Sequence, residues 1–538
     1  MRRFFAIVYL LVSNVAFTQV IWENHRSEVY PYIYRMAQKG FIEVDDVIRP
    51  VSRQQIYTWL MELEKAPLSE VEKKELGFYL QEYTPFGFGD SSKLRFGKND
   101  ANGRWRLLSM GSKDFEMHVD PIISAGYVSG TAGSFRQVSN GGQFWGKAKR
   151  WGFQLYYRDY TETGSGIDAF RKESPEQGIV RIGEVKAKQQ NFSEIRGHLS
   201  YSWKNGSLSF GKDQFLWGYG ENGRTVLSDK APSYAYLRFD YTPFKWMHFQ
   251  QIHGWLNSNL VDTVRTYGTG STGVFGDVRQ IYRPKFLAQH SLTFIPIRGL
   301  SVAVGESAVY SDKWDPMFMI PFMLYKVYDN NRSGYNINAG SNGQLFAQVS
   351  SRNHLSKTHL YSTLFIDEIR ISTLWNALKR RAQVGFNLGF SVTDVLLPYL
   401  TIGAEYTRVN PFVYQNFVPT QRYTHHDYFL GDWMGANADR ALAFVKYTPI
   451  PKLRLLARVQ QMRKGGEGTI AQQYFAEPQP SFLFDLQQKR TDVFFQANYE
   501  WLNNLYFNIS LEWRSIKPTQ GMATTQSLSQ VGVSYGLR

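Results

Sequence analysis

No cysteine occurs among the 538 residues. Disulfide scaffolds, thiolate metal sites, thiol nucleophiles and a lipid-modified N-terminal Cys are therefore excluded. After the N-terminus no run approaches the ~18 consecutive apolar residues of a membrane helix, and a mean hydropathy of −0.36 is too polar for a helical membrane protein. A Gly-x-Ser-x-Gly elbow to seat a serine nucleophile is also missing. What is present is 33 Tyr, 38 Phe and 14 Trp, 16% aromatic, with 45 Gly. That abundance at ordinary hydropathy fits many amphipathic strands, in which only alternate residues need be apolar. The net charge of +15, from 61 Lys and Arg against 46 Asp and Glu, suits anionic polysaccharide, lipopolysaccharide or nucleic acid without choosing among them.

The start of the chain reads as an export signal. Met1-Arg2-Arg3 is a short basic region, Phe4 to Val12 an apolar core too short to span a bilayer, and Ala16-Phe17-Thr18 supplies small residues at a cleavage spacing. The expected division is a signal peptide over 1–18, a helical bundle over 19–90 and a barrel over 91–538. In the bundle, Ser27 is placed to cap EVYPYIYRMAQKG, with Tyr30, Ile33, Tyr34 and Ala37 on one face. Ser52 caps RQQIYTWLMELE, where Ile56, Trp59, Leu60 and Leu63 form the stripe. Ser69 and Glu72 form a capping box ahead of KKELGFYLQEY.

From about Phe115 the period becomes two. Ile195, Leu199, Tyr201 and Trp203 alternate with polar residues, as do Val384 to Val392, Val493 to Trp501 and Leu505 to Trp513. These strands are about ten residues long and end in Trp and Tyr, as a tilted strand crossing hydrocarbon requires. Short turns such as Tyr241-Thr-Pro-Phe and Tyr447-Thr-Pro-Ile alternate with long polar loops over 164–192, 258–285, 311–343, 410–438 and 464–490. About seventeen strands are recognisable, the last over Leu528–Leu537. Closure of such a barrel takes an even number, so sixteen or eighteen is expected. The fold class is an all-β, antiparallel transmembrane barrel with a small N-terminal α-helical bundle. Export, aromatic strands and missing apolar helices together place it in a Gram-negative outer membrane.

Arg158, Arg196, Lys204, Arg238, Arg454, Arg458 and Arg514 are predicted to face the lumen against Glu194, Asp213, Asp240, Glu405, Glu500 and Glu512. The mixture of signs favours a lumen crossed by ion pairs over an ion-selective pore. His425-His426-Asp427 is the sharpest catalytic-looking cluster, but on an extended segment its two His point to opposite faces. Asp367-Glu368 splits across faces in the same way and makes a poor acid/base pair. No catalytic, cofactor or metal residues are assigned.

The richest stretch is Gly206 to Tyr241, a hairpin with a polar, Gly-rich insert. Parity puts Asp213, Trp217, Tyr236, Arg238 and Asp240 on the lumen side and Leu208, Phe210, Leu237 and Phe239 toward lipid. Aromatic plates beside planar polar groups suit a saccharide, so Asp213, Trp217, Tyr219, Arg224 and Arg238 are the candidate polysaccharide-binding residues. A loop folded into the lumen for packing alone accounts for the same residues.

GKDQFLWGYGENGRTVLSDKAPSYAYLRF, with RPVSRQQIYTWL upstream and YTHHDYFLGDWMGANADR downstream, resembles the capsule assembly protein Wzi family over nearly the whole mature chain. The resemblance implies an eighteen-stranded outer-membrane barrel, a periplasmic bundle, long loops outside and a lectin-like, non-enzymatic role in holding capsular polysaccharide. It assigns no individual sugar-contacting residue. Expected partners are anionic surface polysaccharide, lipopolysaccharide and outer-membrane lipid, and proteins meeting the bundle; nucleic acid is not expected. Related members are associated with gliding motility, so an accessory part in motility or secretion is the alternative reading, beside a pore.

Overall fold

The computed structural model describes residues 20–85, 94–112, 114–168, 188–271, 276–334, 340–369 and 381–536, with isolated positions between 372 and 379. The expected signal peptide over 1–18 and the end of the last expected strand, Leu537, lie outside the described residues.

Eighteen antiparallel strands, from Phe115–Gly130 to Thr524–Tyr535, close into a barrel. Sequential neighbours pair all the way round, and the seam joins last to first from Tyr535↔Ile123 to Leu528↔Gly130. The rest of the first strand's edge is occupied by a hairpin, in which Trp105–Ser112 pairs with Phe115–Val119 on one side and with Arg95–Asn99 on the other. The alternation that predicted the strands sets which way each side chain points. Leu199, Phe210, Leu388, Ile509 and Trp513 are exposed on the outer surface, while His198, Ser209 and Asn387 are buried inside.

Connections alternate in length once past the first hairpin, whose two-residue turn 131–132 lies at the long-loop end. Two-residue turns such as 149–150, 204–205, 298–299 and 503–504 lie at one end and long loops at the other. Lys204 is a correction: it sits exposed in the turn 204–205 and not on the lumen wall, because the strand ends one residue earlier, at Trp203. Pro243 falls where the register with the next strand shifts, between Tyr241 and Phe244, a place that needs no ladder N–H.

Three helices, α1 (Val29–Gln38), α2 (Arg53–Leu63) and α3 (Glu70–Tyr83), pack around Tyr30, Ile33, Ile56, Trp59, Leu60 and Leu76. Ser52 caps α2 by accepting from Gln55 N, and Ser69 and Glu72 form the reciprocal box at α3. Ser27 does not cap α1: Glu28 holds that position without a side-chain bond, and the Ser27 hydroxyl meets Tyr83 Oη at 3.2 Å. Burial of Tyr32 and Met36 as well as the predicted stripe shows that α1 is covered on more than one side.

The bundle plugs the short-turn mouth. Arg35 reaches Asp394 at 2.6 Å, Arg454 reaches Glu28 at 2.9 Å and Glu75 at 3.1 Å, and Gln38 donates to Lys357 O and Ser391 O at 2.9 Å. From the other end, loops 214–233 and 410–437 fold into the lumen. The described part of the loop expected over 311–343 folds back on the outer face of the wall, where Phe318 and Tyr325 pack with Phe286, Ala288, Ala308 and Tyr310.

Candidate functional site

The site is built on the hairpin singled out by sequence. Gly206–Asp213 and Tyr234–Phe244 pair from Gly206↔Tyr241 to Asp213↔Tyr234. Parity turns Tyr236 and Arg238 into the lumen, both buried, and leaves Leu208 and Phe210 exposed outside. The insert between these strands dives inward instead of standing above the barrel. Its Leu216–Trp217 forms a two-stranded sheet with Ile48–Arg49 of the bundle segment, extended by Gly218 N donating to Val47 O at 2.8 Å. Gly218 sits at φ +92, and a Cβ there would press on Gln348 and Thr363 within 3.2 Å, so the turn demands glycine.

Loop 410–437 locks the insert from above. Tyr414 Oη donates to Thr225 O at 2.6 Å, Tyr423 Oη donates to Val226 O at 3.0 Å, and Ser228 N donates to Leu430 O at 2.8 Å. Trp217, Tyr219, Val226, Leu227, Tyr236, Phe346, Tyr414 and Tyr423 thereby form an apolar core inside the barrel.

The five candidate residues part company within this plug. Trp217 is 0% exposed, edge-on to Phe346 at 6.0 Å, and offers no ring face to a ligand. Arg238 is committed to the bundle: it stacks on Trp22 at 3.7 Å, donates to Pro50 O at 2.9 Å and makes two 2.8 Å bonds to Asp240. Asp213 accepts from Gln214 N at 2.8 Å and stands 3.6 Å from Arg196. Only Tyr219 and Arg224 meet, lining a cavity of about 180 Å3 between plug and bundle.

That cavity has a cationic cast. Arg352 pairs with Asp46 at 2.8 Å and Lys446 with Glu221 at 2.8 Å. Arg224 donates to Gly218 O, and Arg49 lies 4.9 Å over the Tyr34 ring. Burial, helped by the neighbouring Arg49, pulls Arg224 down to about 10, the mark of a guanidinium short of negative charge. Among the described residues Arg49 Nε and Tyr34 Oη make no hydrogen bond. Guanidiniums beside a free phenol can take a carboxylate, a phosphate or a sugar hydroxyl. Sequence reasoning missed Arg49 and treated Tyr34 as helix packing, since their approach to Tyr219 depends on the Arg49↔Leu216 pairing.

Several of the predicted lumen ions are paired, while Arg158 donates to Ser139 and Ser124 at 2.8 Å and Glu500 accepts from Asn504 N at 2.9 Å. Arg196 meets Glu194, Arg514 meets Glu512 at 2.7 Å, and Arg440 meets Asp432 at 2.9 Å and Glu405 at 3.7 Å. The His425 and His426 rings lie 4.6 Å apart, not on opposite faces, because His426 takes φ +52. His425 Nδ1 accepts from Asn257 N at 2.9 Å, and Asp427 accepts from Asn259 at 2.7 Å. Among the described residues no three His, Asp or Glu side chains gather as a metal site.

The family model described as "Capsule assembly protein Wzi" matches residues 125–526. The Escherichia coli outer-membrane protein Wzi, described as involved in group 1 capsule assembly and as a carbohydrate-binding β-barrel, superposes with a TM-score of 0.60 at 12% identity, covering 96% of this chain and 99% of that one. Pseudomonas aeruginosa OpdK, solved with vanillate, gives 0.45 at 8% identity over 78% of this chain and 98% of that one. OprD of the same organism gives 0.42 at 11%, over 78% and 94%. No curated protein sequence matches.

Proposed function

Since this chain belongs to the capsule assembly protein Wzi family, we propose that it is an outer-membrane barrel that binds and organises surface polysaccharide, lectin-like and without catalysis. The observation that carries the reading is the lumen itself. Chain from both ends fills it and joins across its middle through the Ile48–Arg49 and Leu216–Trp217 sheet, which suits an anchor and leaves a conduit without a path. In this reading the bundle faces the periplasm, where proteins can meet it, and the long loops face outward among lipopolysaccharide and exported glycan.

Tyr219 and Arg224, with Arg49, are the proposed contacts for an acidic group of glycan that enters from the short-turn mouth, where Arg352, Thr401 and Lys446 line the same cavity. Trp217, Asp213 and Arg238 serve by holding the plug and the bundle around them. A guanidinium pair in a partly desolvated hollow favours a uronate or phosphate over a neutral sugar.

The test is binding of purified acidic capsular polysaccharide to the detergent-solubilised barrel. Arg49→Ala combined with Arg224→Ala should weaken it about 10-fold or more, roughly 1.4 kcal/mol, with the glycan recovered at full length. Normal capsule retention by a capsulated strain lacking the protein would sink the proposal; shortened glycan would replace the lectin with a hydrolase.

A further inference from the structure

The wall formed by Met247–Val261, Tyr282–Ile297 and Leu300–Ser311 breaks the rule that a barrel's outer face is apolar. Ile252, Leu287 and Val309 belong to the lumen core, so alternation turns Gln251, His253, His290 and Glu306 to the outside. Their height is set by their neighbours. Glu306 pairs with Leu345, 50% exposed on the apolar belt. His253 pairs with Leu237, which pairs with Phe210, 58% exposed. Four polar side chains thus stand at the level of hydrocarbon, where unsatisfied polar groups are not tolerated.

They are nevertheless buried, at 4%, 1%, 7% and 6% exposure respectively. The cover is the stretch 312–334, with a 3-10 turn at Pro316–Met319 and a helix at Tyr325–Ser333. Gln251 Nε2 donates to Tyr325 Oη at 3.1 Å, and His253 Nε2 bonds Tyr310 Oη at 2.8 Å. Glu306 stands 3.2 Å from His290 and accepts from the first helical amides, Tyr325 N at 2.7 Å and Lys326 N at 3.3 Å. Phe318 stacks on Tyr310 at 4.3 Å, and Phe322 meets Phe249 at 4.1 Å. Phe249 is level with Leu292 and Val304. The segment therefore descends from Ser311 by seven residues of strand, roughly 18 Å along the axis of a barrel with ordinary tilt.

Its other side is apolar over 320–327, where Ile320, Leu324 and Val327 are exposed and Phe322, resting on Phe249, is still 59% exposed, and turns polar at the next helical turn with exposed Asn330 and Asn331. Its buried or half-buried charges are matched within the segment, with Arg332 3.2 Å from Asp329 and 3.5 Å from Asp315 and Tyr328 Oη donating to Asp315 at 2.6 Å. Lys326 lays its stem beside Gly343, next to the long-loop end, from which an ammonium reaches the headgroups.

We propose that residues 312–334 form a re-entrant lid seated in the leaflet nearest the long loops, with Ile320, Phe322, Leu324 and Val327 against lipid acyl chains. Its polar inner side seals Gln251, His253, His290 and Glu306 from hydrocarbon. Lipid is the occupant because the exposed face continues the apolar belt at the same height, and because amides of the non-helical stretch find acceptors within it, as hydrocarbon depth demands: Phe318 N donates to Asp315 O, Ile320 N to Met317 O and Met323 N to Ile320 O. The lid is independent of whatever glycan the protein holds.

The missing cysteines make the test direct. Single variants Phe322→Cys and Val327→Cys, spin-labelled and reconstituted in liposomes, are compared with Leu345→Cys on the belt and Val264→Cys on the exposed loop. The expected result is high accessibility to oxygen and low accessibility to a water-soluble nickel chelate at both lid positions, within about two-fold of Leu345→Cys. Values matching Val264→Cys would overturn the lid, placing the segment in water. Shielding from both reagents would overturn its lipid contact in favour of a second copy or another protein.

Discussion

Single side chains decide whether the bundle stays in the mouth of the barrel. Arg238 is buried with every guanidinium nitrogen used, on Pro50 O and the two oxygens of Asp240, and it lies flat on Trp22. Arg238→Ala leaves Asp240 without its cation and should cost about 3 kcal/mol, read from urea unfolding followed by Trp fluorescence. Acid acts on the same junction. Burial alone would raise Glu82, but Arg106, Arg53 and Arg104 outweigh it and hold its carboxyl well below the ordinary 4.5. Glu72 and Asp394 are lowered in the same sense: burial opposes, and the contacts with Lys39 and Arg35 prevail. A lowered carboxylate contributes stability that is complete above its unfolded value and lost as pH falls toward the folded one. Glu23, raised by its burial, works the other way. The net expectation is a bundle that undocks below about pH 4, seen as faster hydrogen exchange across α1 to α3 while the strands stay protected.

Secondary-structure elements were legible in the sequence wherever their signal is local. The caps at Ser52 and Ser69 could be read because a cap is a contact over three residues. Ser69→Ala should therefore cost about 1 kcal/mol, measured as a lower midpoint for the bundle's unfolding with the barrel transition unchanged. Ser27 had the same look and a different use, because a distant hydroxyl, Tyr83, competes for it. The strands flanking Gly206 to Tyr241 were legible for the same local reason, alternation. The descent of their insert was not, since it depends on pairing with residues 48 and 49. The outside segment after Ser311 escaped notice too. Polar residues at outward positions, such as Gln251 and Glu306, weaken the alternation where something else in the chain covers them, and a sequence pattern does not reveal the cover.

For the whole molecule, closure did what counting alone could not: about seventeen recognisable strands became eighteen, because a barrel leaves no free edge. The plug was only half foreseen. Mixed lumen charges pointed to a filled interior, but the apolar core around Trp217 comes from two loops separated by nearly two hundred residues. Such a lumen should be electrically quiet in planar bilayers. Replacing 218–227 with a short Gly-Ser linker should produce discrete conductance steps; steady conductance of the unaltered protein would contradict the filled lumen.

The small sheet of Ile48–Arg49 with Leu216–Trp217 has a thermodynamic meaning of its own. It hydrogen-bonds a segment from one side of the membrane to a loop from the other, so the two docked states share a free energy of a few hydrogen bonds, each about 1 kcal/mol net. Linkage of this kind is reciprocal. Whatever steadies the loop at its end of the barrel steadies the bundle at the other by the same factor, and a partner that draws the bundle away loosens the loop to an equal degree. A barrel filled from both mouths is in this way able to carry information from one to the other.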